Sequence, residues 1–205
     1  MPARDRQFGM SPFNTKGLVY VGAKDYYQAH VPGGLPAVCQ AIEDPDLRAF
    51  FQQEFVSHRK YDILPLVPIS AAAAAAVGVS SSELVRANAR WLAERDIHGI
   101  YSIFLKLSSP RLVAPMLPKA SLQYFSFGTA KGEMEDSHCL LAYQSGLPVL
   151  LAPWMMWAVS GFAPVALEMA GAKQVTVRQH GGLTDERTFH GHPICKLTWR
   201  IQWAA

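Results

Sequence analysis

Residues 148–170, PVLLAPWMMWAVSGFAPVALEMA, hold a single ionised side chain, Glu168, and residues 195–203, CKLTWRIQW, alternate strictly. These two stretches decide the fold. The first predicts a long helix from Pro148 to Ala170 that is apolar nearly all round and therefore buried. In the second, Cys195, Leu197, Trp199, Ile201 and Trp203 share one face, against Lys196, Thr198, Arg200 and Gln202 on the other. Period two with one apolar face predicts a strand of an antiparallel sheet, one side packed and one wet.

Working outward, three more strands are expected. Ser121–Phe127 is aromatic-rich and alternating, and His138–Tyr143 follows a polar turn around Lys131-Gly132. Gln174–His180 sets Val175 and Val177 against Thr176 and Arg178, and the polar run from His180 to Gly191 reads as a hairpin loop. Upstream the pattern is mainly helical. Residues 1–15 read as a flexible leader, Lys16–Gly22 (KGLVYVG) as a short β-rich run, and Lys24–His30 and Leu35–Ile42 as helical. Asp44 with Pro45 opens another helix with Phe50, Phe51 and Phe55 on its apolar side. Tyr61–Pro68 reads as an extended connector and Ser70–Val77 as an alanine-rich helix ended by Gly78. Ser80 and Glu83 form a capping box for a helix to about Ile97, with Leu84, Ala87, Trp91 and Leu92 at helical spacing. Tyr101–Leu107 continues as helix, and Ser109-Pro110 starts a short one ending near Pro118. The expected class is α+β: N-terminal helices, then a four-stranded, mainly antiparallel sheet interrupted by one long apolar helix. Residues 16–205 are expected to form a single domain.

Composition narrows the function. Of the 205 residues, 17% are charged and 50% hydrophobic, which calls for a large interior, an interface, or both. The net charge of +3 is spread without a Lys/Arg run, so nucleic-acid binding is not expected. Cys39, Cys139 and Cys195 are odd in number and lack CxxC spacing, and the polar N-terminus lacks an apolar signal core. A reducing cytoplasm follows as the default. Cys139–Leu167 carries no charge, but Pro148, Pro153 and Pro164 punctuate it and amphipathic strands flank it. A buried core helix, with no membrane span, is the better account.

Catalytic constellations are weak. No Gly-x-Ser-x-Gly elbow occurs; Ser160-Gly161 lies inside the long helix, and Ser145-Gly146 precedes a helix start, where a hydroxyl more often caps than attacks. Glu94 and His98 share a helical face, as an ordinary i,i+4 pair does. His190, His192 and Cys195, with His180 across the hairpin, are zinc-compatible donors, but Cys195 falls on the core face and the spacing matches no zinc motif. His138 and Cys139, adjacent on a strand, point to opposite faces. The glycine pairs Gly33-Gly34 and Gly181-Gly182 lack the strand-to-helix context of a phosphate loop. What remains is the apolar cluster of Trp154, Met155, Met156, Trp157, Phe162 and Met169, where flexible Met beside rigid Trp suits an adaptable pocket.

The order of elements over Leu117–Trp203 resembles the superfamily that groups haem nitric-oxide/oxygen-binding (H-NOX) domains, four-vinyl-reductase domains and TRAPP transport subunits. Within it the chain is similar to an uncharacterised branch abundant in myxobacteria. The matching residues are Tyr124-Phe-Ser-Phe127, Leu140-Leu-Ala-Tyr143-Gln-Ser145-Gly-Leu147-Pro148, and Leu167-Glu-Met-Ala-Gly171-Ala-Lys-Gln-Val175-Thr-Val177. The resemblance implies a fold and a capacity for small or acyl ligands. H-NOX domains hold haem through a histidine and a Tyr-x-Ser-x-Arg motif. Here Tyr143 and Ser145 match, the arginine position is Leu147, and the region of the ligating histidine, Val113–Met116, has none. The clustered zinc cysteines of four-vinyl-reductase relatives are also missing, so no catalytic residue, cofactor or metal is carried across.

The expectation is therefore a non-enzymatic domain that binds an apolar small molecule or acyl chain between sheet and helices and signals by repacking or dimerising. Tyr143, Trp154, Trp157, Phe162, Tyr124 and Trp91 are expected to line its site. Two alternatives stay open: a structural subunit using the apolar surface as a homodimer or hetero-partner interface, and a haem or metal sensor built on His190, His192 or His98.

Overall fold

The computed structural model describes residues 8–97 and 108–204, leaving aside the side chains of Ile97, Asp185 and Glu186. The predicted helix over Tyr101–Leu107, and His98, lie outside the described residues. The chain divides into two compact units, Met1–Leu84 and Val85–Ala205.

In the first unit, β1 (Asn14–Lys16) pairs antiparallel with β2 (Lys60–Asp62) beside the helices α1 (Gly17–His30), α2 (Gly34–Ala41), α3 (Pro45–Gln52) and α4 (Leu66–Val77). The segment read as a leader is tied down from residue 9. The Asp62 carboxylate accepts hydrogen bonds from the Gly9 and Ser11 amides at 3.2 and 3.1 Å, and Phe13 and Thr15 are buried. KGLVYVG is not a strand: only Lys16 is extended, and α1 begins at Gly17. Tyr20 and Tyr27 are fully buried on one side of that helix, Tyr20 stacked on Phe55 at 4.3 Å, so tertiary packing overrides the β-propensity of Val and Tyr. The cap of α3 is as expected, since Asp44 Oδ1 accepts from the Asp46 and Leu47 amides with Pro45 at the first helical position, but the helix ends at Gln52, before Phe55. Tyr61–Pro68 is less extended than expected, because α4 starts at Leu66 and takes in Pro68 near its N-terminus, where a missing N–H costs little.

The second unit takes up most of α5 (Ser81–Ile97). Its N-terminus carries the capping box: Glu83 N–H bonds Ser80 Oγ at 3.2 Å, and Glu83 Oε2 accepts from the Ser80 amide at 2.9 Å. The buried residues of α5 are Leu84, Val85, Asn88, Ala89 and Ala93, so the stripe is rotated from the expected one and Ala87 is exposed. Then come α6 (Pro110–Val113), a 3-10 turn (Ala114–Met116) and α7 (Leu117–Ser121). The sheet is formed by β3 (Thr129–Asp136), β4 (Cys139–Pro148), β5 (Lys173–Gln179), β6 (Thr184–Phe189) and β7 (His192–Ala204), with α8 (Ala152–Met169) inserted between β4 and β5. The order is β3-β4-β7-β5, with β6 also paired to β7, and every pairing is antiparallel.

The α+β class and the inserted apolar helix are as expected, but among the described residues this sheet has five strands, one expected strand being misplaced and one unexpected. Ser121–Phe127 is not a strand: Tyr124 and Phe125 amides close back on the Ser121 carbonyl as α7 ends. The first strand is instead TAKGEMED, where a turn was expected. The supposed hairpin loop contains β6, TDERTF. The tight turn after it is His190-Gly191, both at positive φ (48° and 77°), the geometry of a two-residue hairpin loop.

Candidate functional site

Alternation splits the sheet into two faces. Leu140, Ala142, Gln144 and Leu147 of β4 and Cys195, Leu197, Trp199, Ile201 and Trp203 of β7 are buried, while Leu141, Tyr143, Ser145, Lys196, Thr198 and Arg200 are half-buried. Helices cover the buried face. Pro118 of α7 reaches β3 and β4 at Gly132 and Leu140, and α8 packs along β5. Along α8, Ala152, Trp154, Met155, Gly161 and the run Ala163–Leu167 are buried. By length and composition Val149–Met169 could cross a membrane, and half of it is buried within the protein. Its other flank meets α5. Phe162 and Met169 pack on a cluster of Ala93, Val165 and Ala166, and a Cβ on Gly161 would collide with the Arg86 carbonyl and sit 3.0 Å from Ala89 Cβ. Only glycine permits so close a crossing.

The register of β4 holds the decisive detail. Ser145 pairs with Lys196 and Leu147 with Cys195, so Gly146, at φ 72°, is the extra residue of a β-bulge. A bulge moves everything beyond it to the other face. Tyr143 and Ser145 therefore point outward, whereas Leu147 points into the core, fully buried, its carbonyl facing the Cys195 thiol at 3.5 Å.

The six expected lining residues do not converge. Trp154 (buried), Trp157 and Phe162 (half-buried) ride on α8. Tyr143 lies on the opposite face of the sheet, its ring under the Lys196 ammonium at 4.2 Å. Trp91 is half-buried on α5 under the Arg95 guanidinium at 5.0 Å. Tyr124 sits in the turn after α7, 6.3 Å from the ring of Phe125. Sequence reasoning missed Gln144 and Trp199. Both are on the buried face, on neighbouring strands and diagonal in register, since Gln144 pairs with Leu197 and Ala142 with Trp199. Among the described residues, neither Gln144 Nε2 nor Trp199 Nε1 finds an acceptor. A buried polar residue within an alternating apolar strand was the signal available.

Among the described residues the histidines form no metal centre. His190 is exposed in the β6–β7 turn, packed edge-on against Phe189 at 4.4 Å, while Cys195 points into the core. Among the described residues no three His, Cys, Asp or Glu side chains are placed to share an ion. On the outer face the Cys139 thiol donates to Glu135 Oε2 at 3.1 Å, and Arg200 bonds Glu135 Oε1 at 2.9 Å. Burial and that carboxylate push the Cys139 thiol up to about 11, so it is a neutral donor, not a thiolate.

No family profile and no curated protein matches the chain. Solved structures do. The Fe(II) unliganded H-NOX protein from K. algicida superposes with a TM-score of 0.62 at 14% identity, covering 93% of this chain and 97% of that one. A point mutant of the same protein gives 0.64 at 13%, with the same coverage. A point mutant of the T. Tengcongensis H-NOX gives 0.62 at 13%, covering 93% and 98%. The fold is that of H-NOX domains.

Haem is the group this fold brings to mind, and the residues present do not fit it. Haem held in a protein needs an axial donor and, for its propionates, a cation or strong hydrogen-bond donors. The resemblance puts the ligating histidine within Val113–Met116, which contains none, and Val113 and Ala114 are buried. The arginine position is Leu147, and the Gly146 bulge turns it away from Tyr143 and Ser145 into a dry core.

Proposed function

We propose that the chain is a non-enzymatic, cytoplasmic ligand-binding sensor domain. It holds an apolar small molecule or acyl chain between sheet and helices, and signals by repacking or dimerising. The fold supports this at the coarse level, being one used by ligand-binding haem proteins, and the chemistry of this chain redirects it. The observation that carries the reading is the pair of buried donors, Gln144 and Trp199, on the covered face of the sheet. As packed, that layer forfeits hydrogen bonds at Gln144 and Trp199, and a buried unsatisfied donor costs on the order of 1–3 kcal/mol. A guest with an apolar body and a carbonyl-type acceptor would supply the missing acceptor as it parted the layer, making ligand entry and repacking one event. Trp154, Trp157 and Phe162 would contact its body.

Native mass spectrometry of the purified protein, followed by thermal shift against fatty acids, their methyl esters and aromatic ketones, tests this. A retained apolar adduct or a melting shift selective for acceptor-bearing guests is expected. A clean apo mass with no shift across the panel would remove the reading.

A second reading has its own observation. Leu112, Met116, Leu122 and Leu150 are large apolar side chains left 66%, 53%, 37% and 67% exposed. They favour an apolar interface, with a second copy of the chain as its occupant. Sedimentation showing a monomer at micromolar concentration would dispose of it.

A further inference from the structure

The first unit contains a cleft of about 550 Å³ between α1, α2 and α3, a volume within the usual range for small-molecule sites. Two cations line it, Lys24 from α1 and Arg48 from α3, with Leu35 and Pro36 of α2 as apolar wall, and no carboxylate is among its lining residues. Both cations are held by backbone carbonyls. Lys24 Nζ donates to the Gln53 carbonyl at 2.7 Å and lies 5.0 and 5.4 Å from the ring centroids of Phe55 and Phe51. Arg48 donates through Nε and Nη2 to the Ile42 carbonyl at 3.0 and 2.5 Å.

Neither cation is neutralised by these contacts. An ammonium has three donors and a guanidinium five, so both keep N–H groups to offer. Burial lowers the Lys24 pKa and outweighs the opposing pull of Cys39 and Glu54, so its charge is partly stripped of water without full compensation. The Cys39 thiol, also in the lining, does not serve as a counter-anion, because burial pushes its pKa up against the pull of Lys24 and Arg48. The concavity therefore pairs fixed positive charge with an apolar wall.

We propose that this cleft binds a small organic carboxylate carrying a short apolar tail, the carboxylate between Lys24 and Arg48 and the tail on Leu35 and Pro36. The site is separate from the helix–sheet layer and does not depend on it.

Isothermal titration of the full chain with hexanoate, hexanol and inorganic phosphate tests the assignment. Hexanoate should bind, with hexanol (tail without charge) and phosphate (charge without tail) each at least tenfold weaker. Lys24→Gln should weaken hexanoate at least tenfold. Leu35→Glu, at a half-buried surface position, should do the same through like-charge repulsion, and keeps the test valid if Lys24→Gln disturbs α1. Failure of hexanoate to bind the wild type overturns the proposal. So does binding that survives both variants yet is lost in Trp154→Ala, which would place the guest in the helix–sheet layer. Phosphate binding as tightly as hexanoate would also overturn it, in favour of a simple anion site.

Discussion

Replacing Leu147 with arginine restores, in sequence, the third position of the haem-clamping motif, and the structure says it will fail. Leu147 is fully buried on the core face, opposite Cys195 at 1% exposure. The change removes a buried leucine, worth about 1.5–3 kcal/mol, and introduces a buried charge without a partner, at roughly 3–5 kcal/mol. The sum of about 5–8 kcal/mol is comparable to the whole stability of an ordinary domain, about 5–15 kcal/mol. Leu147→Arg should therefore lose its cooperative thermal transition and gain no haem affinity. Ser145→Arg is the control, because it sits before the bulge on the half-buried outer face beside Tyr143 and Lys196. It should stay folded, within about 1–2 kcal/mol of wild type for a surface-type substitution facing a like charge. Circular-dichroism melts and a haemin titration read at the Soret band decide the matter. A Leu147→Arg protein that melts near wild type and develops a Soret band would show that residue 147 reaches the outer face. The bulge assignment, and the exclusion of haem resting on it, would then fall together.

Three further outcomes follow from the same structure. Gln144→Leu removes an orphaned donor at nearly constant volume and should raise stability by about 1–2 kcal/mol, or about 2–8 °C in Tm for a chain of this size; a lowered Tm would mean the amide has a partner. Gly161→Ala should lower Tm, because overpacking against the Arg86 backbone, at about 1–3 kcal/mol, outweighs the helix-propensity gain of at most ~1 kcal/mol; an unchanged or higher Tm would place α5 and α8 farther apart. At high pH, burial pushes the Tyr27 phenol from 10.0 up to about 12, so its contribution is intact below the unfolded value and is lost as pH rises through 10 towards 12. Unfolding free energies from urea titrations should fall across that window with a slope of up to about 1.4 kcal/mol per pH unit for this group, and more shallowly in Tyr27→Phe; identical slopes would refute the assignment.

What was legible in the sequence is what burial had written there. The β7 alternation, the Asp44-Pro45 cap and the Ser80–Glu83 box all stand, because each reports a contact that either repeats with the backbone period or closes within one helical turn. The misplaced strands fail for the converse reason. β3 is paired on one side only and mostly exposed, and β6 is paired only with β7, so neither TAKGEMED nor TDERTF had to alternate. The aromatic run Tyr124–Phe127 mimicked a strand because its rings pack on one another in a turn, Phe125 on Phe127 at 5.7 Å. KGLVYVG misled for a third reason: the partners of Tyr20 come from Asp62 and from Phe50, Phe55 and Tyr61, far along the chain.

The candidate site was less legible than the fold, and the bulge at Gly146 explains much of the difference. A sequence motif written Tyr-x-Ser-x-Leu presumes that alternate residues share a face, and one inserted residue breaks that presumption without altering composition or periodicity. Tyr143 was therefore assigned to a pocket that its own strand turns away from, while Gln144, its buried polar neighbour, was left outside the expected strand and outside the expected site. The cleft of the first unit was hidden differently. Lys24, Leu35 and Arg48 come from three helices, and no fixed spacing links a cation on α1 to one on α3. Each alone has an ordinary surface role. Only the turn at Val31–Gly33 and the bend between α2 and α3, which fold the helices onto one another, give them a common ligand to answer to. Chemistry that depends on the facing of a single residue, or on the meeting of separate elements, is a property of the fold, and the local pattern cannot carry it.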